Sequence, residues 1–289
     1  MYELEVGTSA AQLERLCNLA SSEWNWSSRW HPGELTWFWW ESGGPASDDR
    51  VATWQVDGRV AAWAWLRGGC RLDLQVAAAD RVVLDDVLAW FEAETNDGRR
   101  RITVLDTQTE IISALTAHGY RADLTETFFA HLSLDMSGLA PPPTLTDGYS
   151  LRSLDPLNDL ARRTSLHREV FGSPEDLEPS TESYRRLADD PRYDIGLDWV
   201  VCDEEGRFVS FCLSWLDEAS RVVVLEPVGT LLQHRRRGLA LSAISASLSA
   251  AAERGATHAR VCARVDSAAH ATYTALGFTQ YARNLTFLC

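Results

Sequence analysis

The sequence predicts a mixed α/β protein built as two related halves. Three observations carry that expectation: a proline-rich break near the middle of the 289 residues, a strand-turn-helix pattern found on both sides of it, and β-rich segments interleaved with helical ones across the second half. With 45% hydrophobic residues the chain can bury a core in each half.

The break is "LAPPPTLTDG", residues 139–148. Consecutive prolines cannot continue a helix or a central strand, and the small polar residues after them supply a turn. The predicted division is a first domain over 1–137, a linker over 138–147 and a second domain over 148–289. The segments "RRRITVLDTQTEIISALTAHGY" and "THARVCARVDSAAHATYTALGF" align without gaps, pairing Gln108 with Asp266, Leu115 with Tyr273 and Gly119 with Gly277. The same offset places "AAADRV", 77–82, opposite "RRRGLA", 235–240, so the halves read as a duplication.

In the second half "GYSLRSL" reads as a strand and "NDLARRTSLHREVF" as an amphipathic helix, followed by the shorter helix "ESYRRLADD". The β-rich runs of "DWVVCDEEGRFVSFCLSWL" flank a turn at Asp203–Gly206 and predict a hairpin. "RVVVLEPV" is apolar on both faces, as a central strand is. Residues 239–253, rich in Ala and Ser, predict a helix that stops before Gly255. A further strand, helix and terminal strand complete the layer.

Composition narrows the function. The formal net charge is −14, which disfavours a nucleic-acid partner because phosphate neutralisation needs basic faces. No apolar stretch approaches the roughly 20 residues of a membrane span, so no membrane partner is expected and the cytoplasm is the expected location. Cys17, Cys70, Cys202, Cys212, Cys262 and Cys289 are scattered without ligand spacing; reduced, mostly buried thiols and no metal are expected. All 27 basic residues are arginine.

Three of those arginines stand together in "VGTLLQHRRRGLA", 228–240. A strand ending at Thr230 and a helix entered through Gly238 would aim unpaired backbone N–H groups at one point, reinforced by the helix dipole. Arg235, Arg236 and Arg237 would add donors at the rim, and Gly238 and the small Ala240 would let a ligand come close. The expected ligand is a phosphate. A nucleotide P-loop is excluded, since it needs Lys and Ser or Thr after the glycine.

The spacing Arg235-x-x-Gly238-x-Ala240 resembles the pyrophosphate loop of the GCN5-related N-acetyltransferase (GNAT) superfamily. "EPVGT" before it and "YTALGF" ending at Phe278 look like the same family. Leu232 departs from it where proline is common, and Asp266 stands where many members have Asn. The resemblance implies two tandem domains with mostly antiparallel sheets flanked by helices, and acetyl-CoA as cosubstrate. Its coenzyme-binding residues would be Val228, Gly229, Thr230, Arg235, Arg236, Arg237, Gly238, Leu239, Ala240 and Asp266. The first half has Ala77, Ala78, Ala79 and Asp80 at the loop and Leu115 for the tyrosine, so it is expected not to bind coenzyme.

By the same resemblance the reaction is direct attack of an amine on the thioester in a ternary complex. Tyr273 is the candidate general acid, although an ordinary tyrosine pKa of about 10 lies above the roughly 8.5 of a thiol. Glu226, which interrupts an apolar strand two residues before Val228, is the candidate base; a carboxylate satisfied by a nearby arginine is an equal reading. His234 reads as an exposed loop residue. Asp266 reads as the cap of the helix after it, with a turn or a coenzyme contact as alternatives.

Glu175, Asp176, Glu178 and Glu182, between the first two helices of the second half, suggest a small cationic amine as acceptor, such as an aminoglycoside-like antibiotic; a solvated acidic loop is the competing reading. Peptide or protein N-terminal acetylation, a non-catalytic acyl-CoA sensor and a structural pseudoenzyme stay open, as does a homodimer. Seven of the twelve tryptophans fall between residues 24 and 54, where packing in a core or in an interdomain contact is expected, with one or two of them walling the acceptor cleft.

Overall fold

A computed structural model describes residues 2–95, 100–125, 127–172 and 181–289. The first half runs β1 (Glu3–Gly7), α1 (Ala10–Ser22), α2 (Pro32–Glu41), β2 (Arg50–Val56), β3 (Arg59–Arg67), β4 (Arg71–Val76), α3 (Leu84–Glu94), β5 (Arg101–Leu105), α4 (Thr109–Ala117), β6 (Arg121–Asp123) and β7 (Phe129–Asp135). The second repeats the order, with no counterpart of β6 among the described residues: β8 (Ser150–Ser153), α5 (Leu160–Phe171), α6 (Thr181–Ala188), β9 (Asp198–Cys202), β10 (Phe208–Asp217), β11 (Val222–Thr230), α7 (Leu239–Glu253), β12 (His258–Arg264), α8 (Ala268–Ala275) and β13 (Thr279–Leu288). The mixed α/β class is as the sequence predicts, with parallel pairing only between β4 and β5 and between β11 and β12 among the described strands.

The repeated Gly-aromatic endings have one physical cause. After α8, Gly277 adopts φ +92°, its N–H reaches the carbonyl of Thr274, and the N–H of Phe278 reaches that of Tyr273. After α4, Gly119 at φ +86°, Tyr120 and Leu115 make the same pair of bonds. Both are Schellman caps, which need a left-handed residue and favour an apolar contact across the cap. Tyr273 and Phe278 make that contact, with ring centroids 5.8 Å apart. Gly255 ends α7 in the same way.

The halves are not separate sheets. The strand beside β12 is β7 from the first half, paired antiparallel from Asp135↔His258 to Phe129↔Arg264. The strand beside β5 is β13 from the second half, paired from Asn284↔Leu105 to Leu288↔Arg101. Each half has exchanged its last strand with the other, and all thirteen strands form one continuous sheet. The linker therefore joins β7, which lies between β12 and β13, to β8 at the sheet's far edge beside β9.

The tryptophan-rich segment divides its work. Trp30 and Trp39 pack on Trp63 and Trp65 in the first half's core. Trp37 faces His167 and Tyr184 of the second half, and Trp40 Nε1 donates to Asp190 at 3.1 Å. The closest approach is at Gly33, where a Cβ would lie 2.1 Å from Trp215 Cβ, so only glycine lets α2 settle on β10. His31 caps α2: its Nδ1 accepts from Gly33 N, and Glu34 accepts from the His31 N–H.

Candidate active site

The site begins where β11 leaves its neighbour. Parallel pairing with β12 ends at Val224↔Arg260, while pairing with β10 continues to Thr230. Between Ser214↔Leu225 and Cys212↔Val228 the β11 strand holds one residue more than β10, a bulge at Glu226-Pro227 that turns the strand outward. Trp215 Nε1 fixes the bulge by donating to the Glu226 carbonyl at 2.7 Å. Val228, Gly229 and Thr230 follow on the diverging stretch. Gly229 has no room for a side chain, because a Cβ would lie 2.6 Å from Val170 and 2.7 Å from Phe211. Thr230 Oγ1 shares a hydrogen bond with Ser210 at 2.7 Å.

Beyond Thr230 the chain makes a short 3₁₀ turn at Leu232–His234 and enters α7 through Gly238 at φ +76°. No side chain caps this helix, so its first-turn N–H groups and the positive end of its dipole face outward. Arg235, Arg236, Arg237 and Gly238 are exposed, Ala240 is half-buried, and Leu239 sends its side chain into the core, leaving only its backbone for a ligand. The loop is held in place: Arg235 Nε donates to the Thr230 carbonyl, Arg237 to the Tyr149 hydroxyl, and Thr146 to the Arg237 carbonyl. His234 is half-buried and shares a hydrogen bond with Tyr149. Exposed arginines and uncapped helix N–H groups of this kind suit an anion.

The aligned place in the first half is internally paired. There the Glu23 carboxylate accepts from the N–H of Ala78 at 3.0 Å, Asp80 is paired with Arg59, and Arg81 is paired with Glu110. The chain supplies its own carboxylate where the second half leaves donors exposed. A cavity of about 600 Å³ persists between β4 and α4, lined by Gln75, Ala78, Asp85 and Gln108 among others.

Tyr273, on α8, is buried with Phe278 in the second half's core, and burial pushes its hydroxyl well above the usual tyrosine range, with Cys212 and Glu226 adding to the shift. Asp266 is exposed at φ +64° and does not cap α8. Ser267 does, accepting from His270 N at 3.1 Å, because it has the extended backbone that a cap requires.

Glu226 lines a cavity of about 500 Å³ between the halves, together with Trp30, Glu34 and Cys262. Loss of hydration, then the charges of Glu34 and Glu41, push its carboxyl up to about 8; Arg29 and Arg260 pull the other way. The arginine-satisfied alternative is thus only partly realised. Arg260, fully buried on β12, spends its guanidinium on Glu34 at 3.0 Å. Cys262 shares this wall, but burial lifts its thiol to about 12, and His131 beside it at 3.5 Å is held neutral by burial and by Arg260. That pair has no thiolate to offer at neutral pH. Glu34, Glu41 and Arg260 had no motif to mark them: they meet Glu226 only through the packing of α2 on β11 and β12.

A strand that splays from its parallel neighbour, a bulge carrying a carboxyl and an uncapped glycine-entered helix thus come together in the second half. The acetyltransferase (GNAT) family model matches residues 162–278, so that stretch of the second half is similar to this family. Acetyl-CoA is the cosubstrate of that family. No curated protein matches the chain in sequence.

The fold is similar to that of a tandem GNAT protein from the clavulanic acid biosynthesis pathway (16% identity, TM-score 0.67, 99% of this chain and 98% of that one). It is also similar to a GCN5-related N-acetyltransferase from Sphaerobacter thermophilus (17%, 0.63, 99% and 95%). A GNAT-family acetyltransferase from Colwellia psychrerythraea shares it too (14%, 0.63, 99% and 99%). Among the described residues no helix is long and apolar enough to cross a membrane, and no group of three or more His, Cys, Asp or Glu could hold a metal ion.

Proposed function

We propose that the second half transfers an acetyl group from acetyl-CoA to the primary amine of a small acceptor held between the halves. The observation that carries this reading is the fork at Val224, which sets Glu226 and the approach to the α7 N-terminus on one strand. The pyrophosphate would rest on the backbone N–H groups of Gly238, Leu239 and Ala240 and on Arg235, Arg236 and Arg237, with Val228, Gly229 and Thr230 along the pantetheine. Asp266, exposed in the turn before α8, is retained as a rim contact. Acetyl-CoA supplies an activated thioester.

The chain's own residues manage protons. A carboxyl with a pKa near 8 lies closer to an alkylammonium than an ordinary glutamate does, so Glu226 is suited to take the proton that must leave the acceptor before it can attack. Tyr273 stays protonated across the working range, which suits it to donate to the sulfur side of the site. Its raised pKa favours a donated hydrogen bond over full proton transfer.

The acidic stretch that suggested an aminoglycoside-like cation lies outside the described residues at Glu175, Asp176 and Glu178. Glu182 is engaged by Arg185 and Arg186. The test is thiol release from acetyl-CoA with a panel of primary amines, with Tyr273→Phe beside the wild type. Turnover should fall at least about tenfold in the variant with little change in acetyl-CoA affinity. Coenzyme binding without release for any amine would instead favour a sensor.

A further inference from the structure

The cavity that holds Glu226 has an apolar mouth. Leu124 and Phe128, on the connection from β6 to β7, and Phe129, which opens β7, all line it. Leu124 is 81% exposed and Phe129 45%, whereas Glu226 is half-buried and Trp30 buried on the inner wall. Leu157 and Leu232 are also strongly exposed, but they line neither of the two cavities described above.

The strand exchange brings these side chains to Glu226. β6 pairs with Thr286–Leu288 of β13, and β7 pairs with the same strand from Thr279 to Arg283. Their connection therefore passes alongside Asn284 and Leu285, which line the cavity as well. Its far end is tied to the second half, where the N–H of Val265 donates to the Phe128 carbonyl at 3.2 Å.

Charged side chains of the lining are engaged elsewhere. Arg67 meets Asp73 and Arg283 meets Asp106, each at 3.4 Å, and Glu34 holds Arg260 at 3.0 Å. Asp123 accepts from the backbone and the hydroxyl of Thr125, Arg29 lies over the Trp30 ring, and Arg101 is engaged within the chain. Arg71 is exposed to solvent. At the mouth, the apolar surface of Leu124 and Phe129 faces water. Such surface gains by losing that contact, and exposed apolar side chains gathered at a cavity mark a binding site.

We propose that the acceptor is a primary amine bearing an aromatic or branched alkyl group, and that Leu124, Phe128 and Phe129 hold this group while the amine points inward to Glu226. This rests on the reading of Glu226 as the acceptor's proton-taking group. An apolar group seated at the mouth would also keep water from the inner end, where the amine must lose its proton before it attacks.

Two measurements test it. 2-Phenylethanol, which keeps a ring and lacks the amine, is titrated into the intact chain and followed by tryptophan fluorescence, since Trp30 lines the cavity; ethylene glycol is the control. Saturable binding of 2-phenylethanol alone, weakened about threefold or more in Leu124→Ala and retained in Leu124→Met, supports the proposal. A response that does not saturate, or is equal in all three chains, overturns it.

The second measurement compares kcat/KM for 2-phenylethylamine and isopentylamine with that for ethanolamine and 1,3-diaminopropane. A preference of about tenfold or more for the apolar amines that shrinks about threefold or more in Leu124→Ala supports it. Equal or better use of the polar amines overturns it and leaves acetyl transfer standing. Release with none of the four, in a chain that binds acetyl-CoA, overturns acetyl transfer and this proposal with it.

Discussion

Arg260 on β12 and Glu34 on α2 form a buried ion pair, 3.0 Å apart, that joins the second half to the first. Arg260 also approaches the carbonyls of Ser28 and Arg29 and stacks over Trp24, so one guanidinium gathers the whole α1–α2 connection. The pair stands beside Glu226 and sets its charge from both sides: Glu34 raises its pKa and Arg260 lowers it.

The rate should therefore depend on pH in a defined direction. A base with a pKa near 8 is mostly protonated at neutral pH, so kcat/KM should rise as pH increases through about 8 and then level. Glu41→Gln removes one of the two charges that raise this value without touching the buried pair, and should move the midpoint to lower pH. Glu226→Gln should abolish the limb and lower the rate by a factor on the order of 10². A pH-rate profile of the three chains checks this.

The same group ties stability to pH. The folded state keeps a proton on Glu226 that the unfolded chain, with an ordinary carboxyl, has already lost above about pH 4.5. This group's contribution is therefore fully present below the unfolded value and falls as pH rises toward 8. Urea midpoints for wild type and Glu226→Gln should diverge between pH 5 and pH 8.5, with the wild type losing more.

Gly238→Ala should weaken acetyl-CoA more than it weakens the fold. Open space surrounds the position, yet φ +76° costs a residue with a Cβ about 1 kcal/mol or more, which a shift of the loop would relieve at the expense of the aimed N–H groups. Calorimetry should show a loss of affinity of about tenfold, with a small change in Tm.

Calorimetry on the wild type should give one acetyl-CoA per chain. Glu23 already occupies the Ala78 N–H, and Asp80 and Glu110 hold the first half's arginines. A second equivalent would mean that these internal pairs open.

Gly33→Ala should destabilise the chain by about 1–3 kcal/mol, because its Cβ would overlap Trp215. It should also lower activity, since Trp215 holds the Glu226 carbonyl. Denaturant midpoints and thiol release on one preparation check both.

Local features were legible in the sequence. The cradle, the hairpin at Asp203–Gly206 and the three Schellman endings depend on residues within a few positions of each other, and their glycines announce them. Asp266 was misjudged as a cap because composition at a helix start does not separate Asp from the Ser beside it; backbone angles decide, and Asp266 is left-handed. Strand exchange was not legible, since β7 and β13 have similar apolar character and either could complete either half. The Glu34–Arg260–Glu226 cluster joins residues remote along the chain through one helix-on-sheet contact, and no spacing rule reports such a meeting.

Exchange of the last strands also governs how the chain is made. On the ribosome, β5 emerges long before β13, the strand that lies beside it, and β7 must wait with both edges bare until β12 and β13 are synthesised. Neither half can close its sheet while the other is still nascent. The two halves thus reach the native state as a single cooperative unit, and separate expression of residues 1–137 or 148–289 should give chains with a raw sheet edge that aggregate, whereas mixing the two fragments should recover soluble protein.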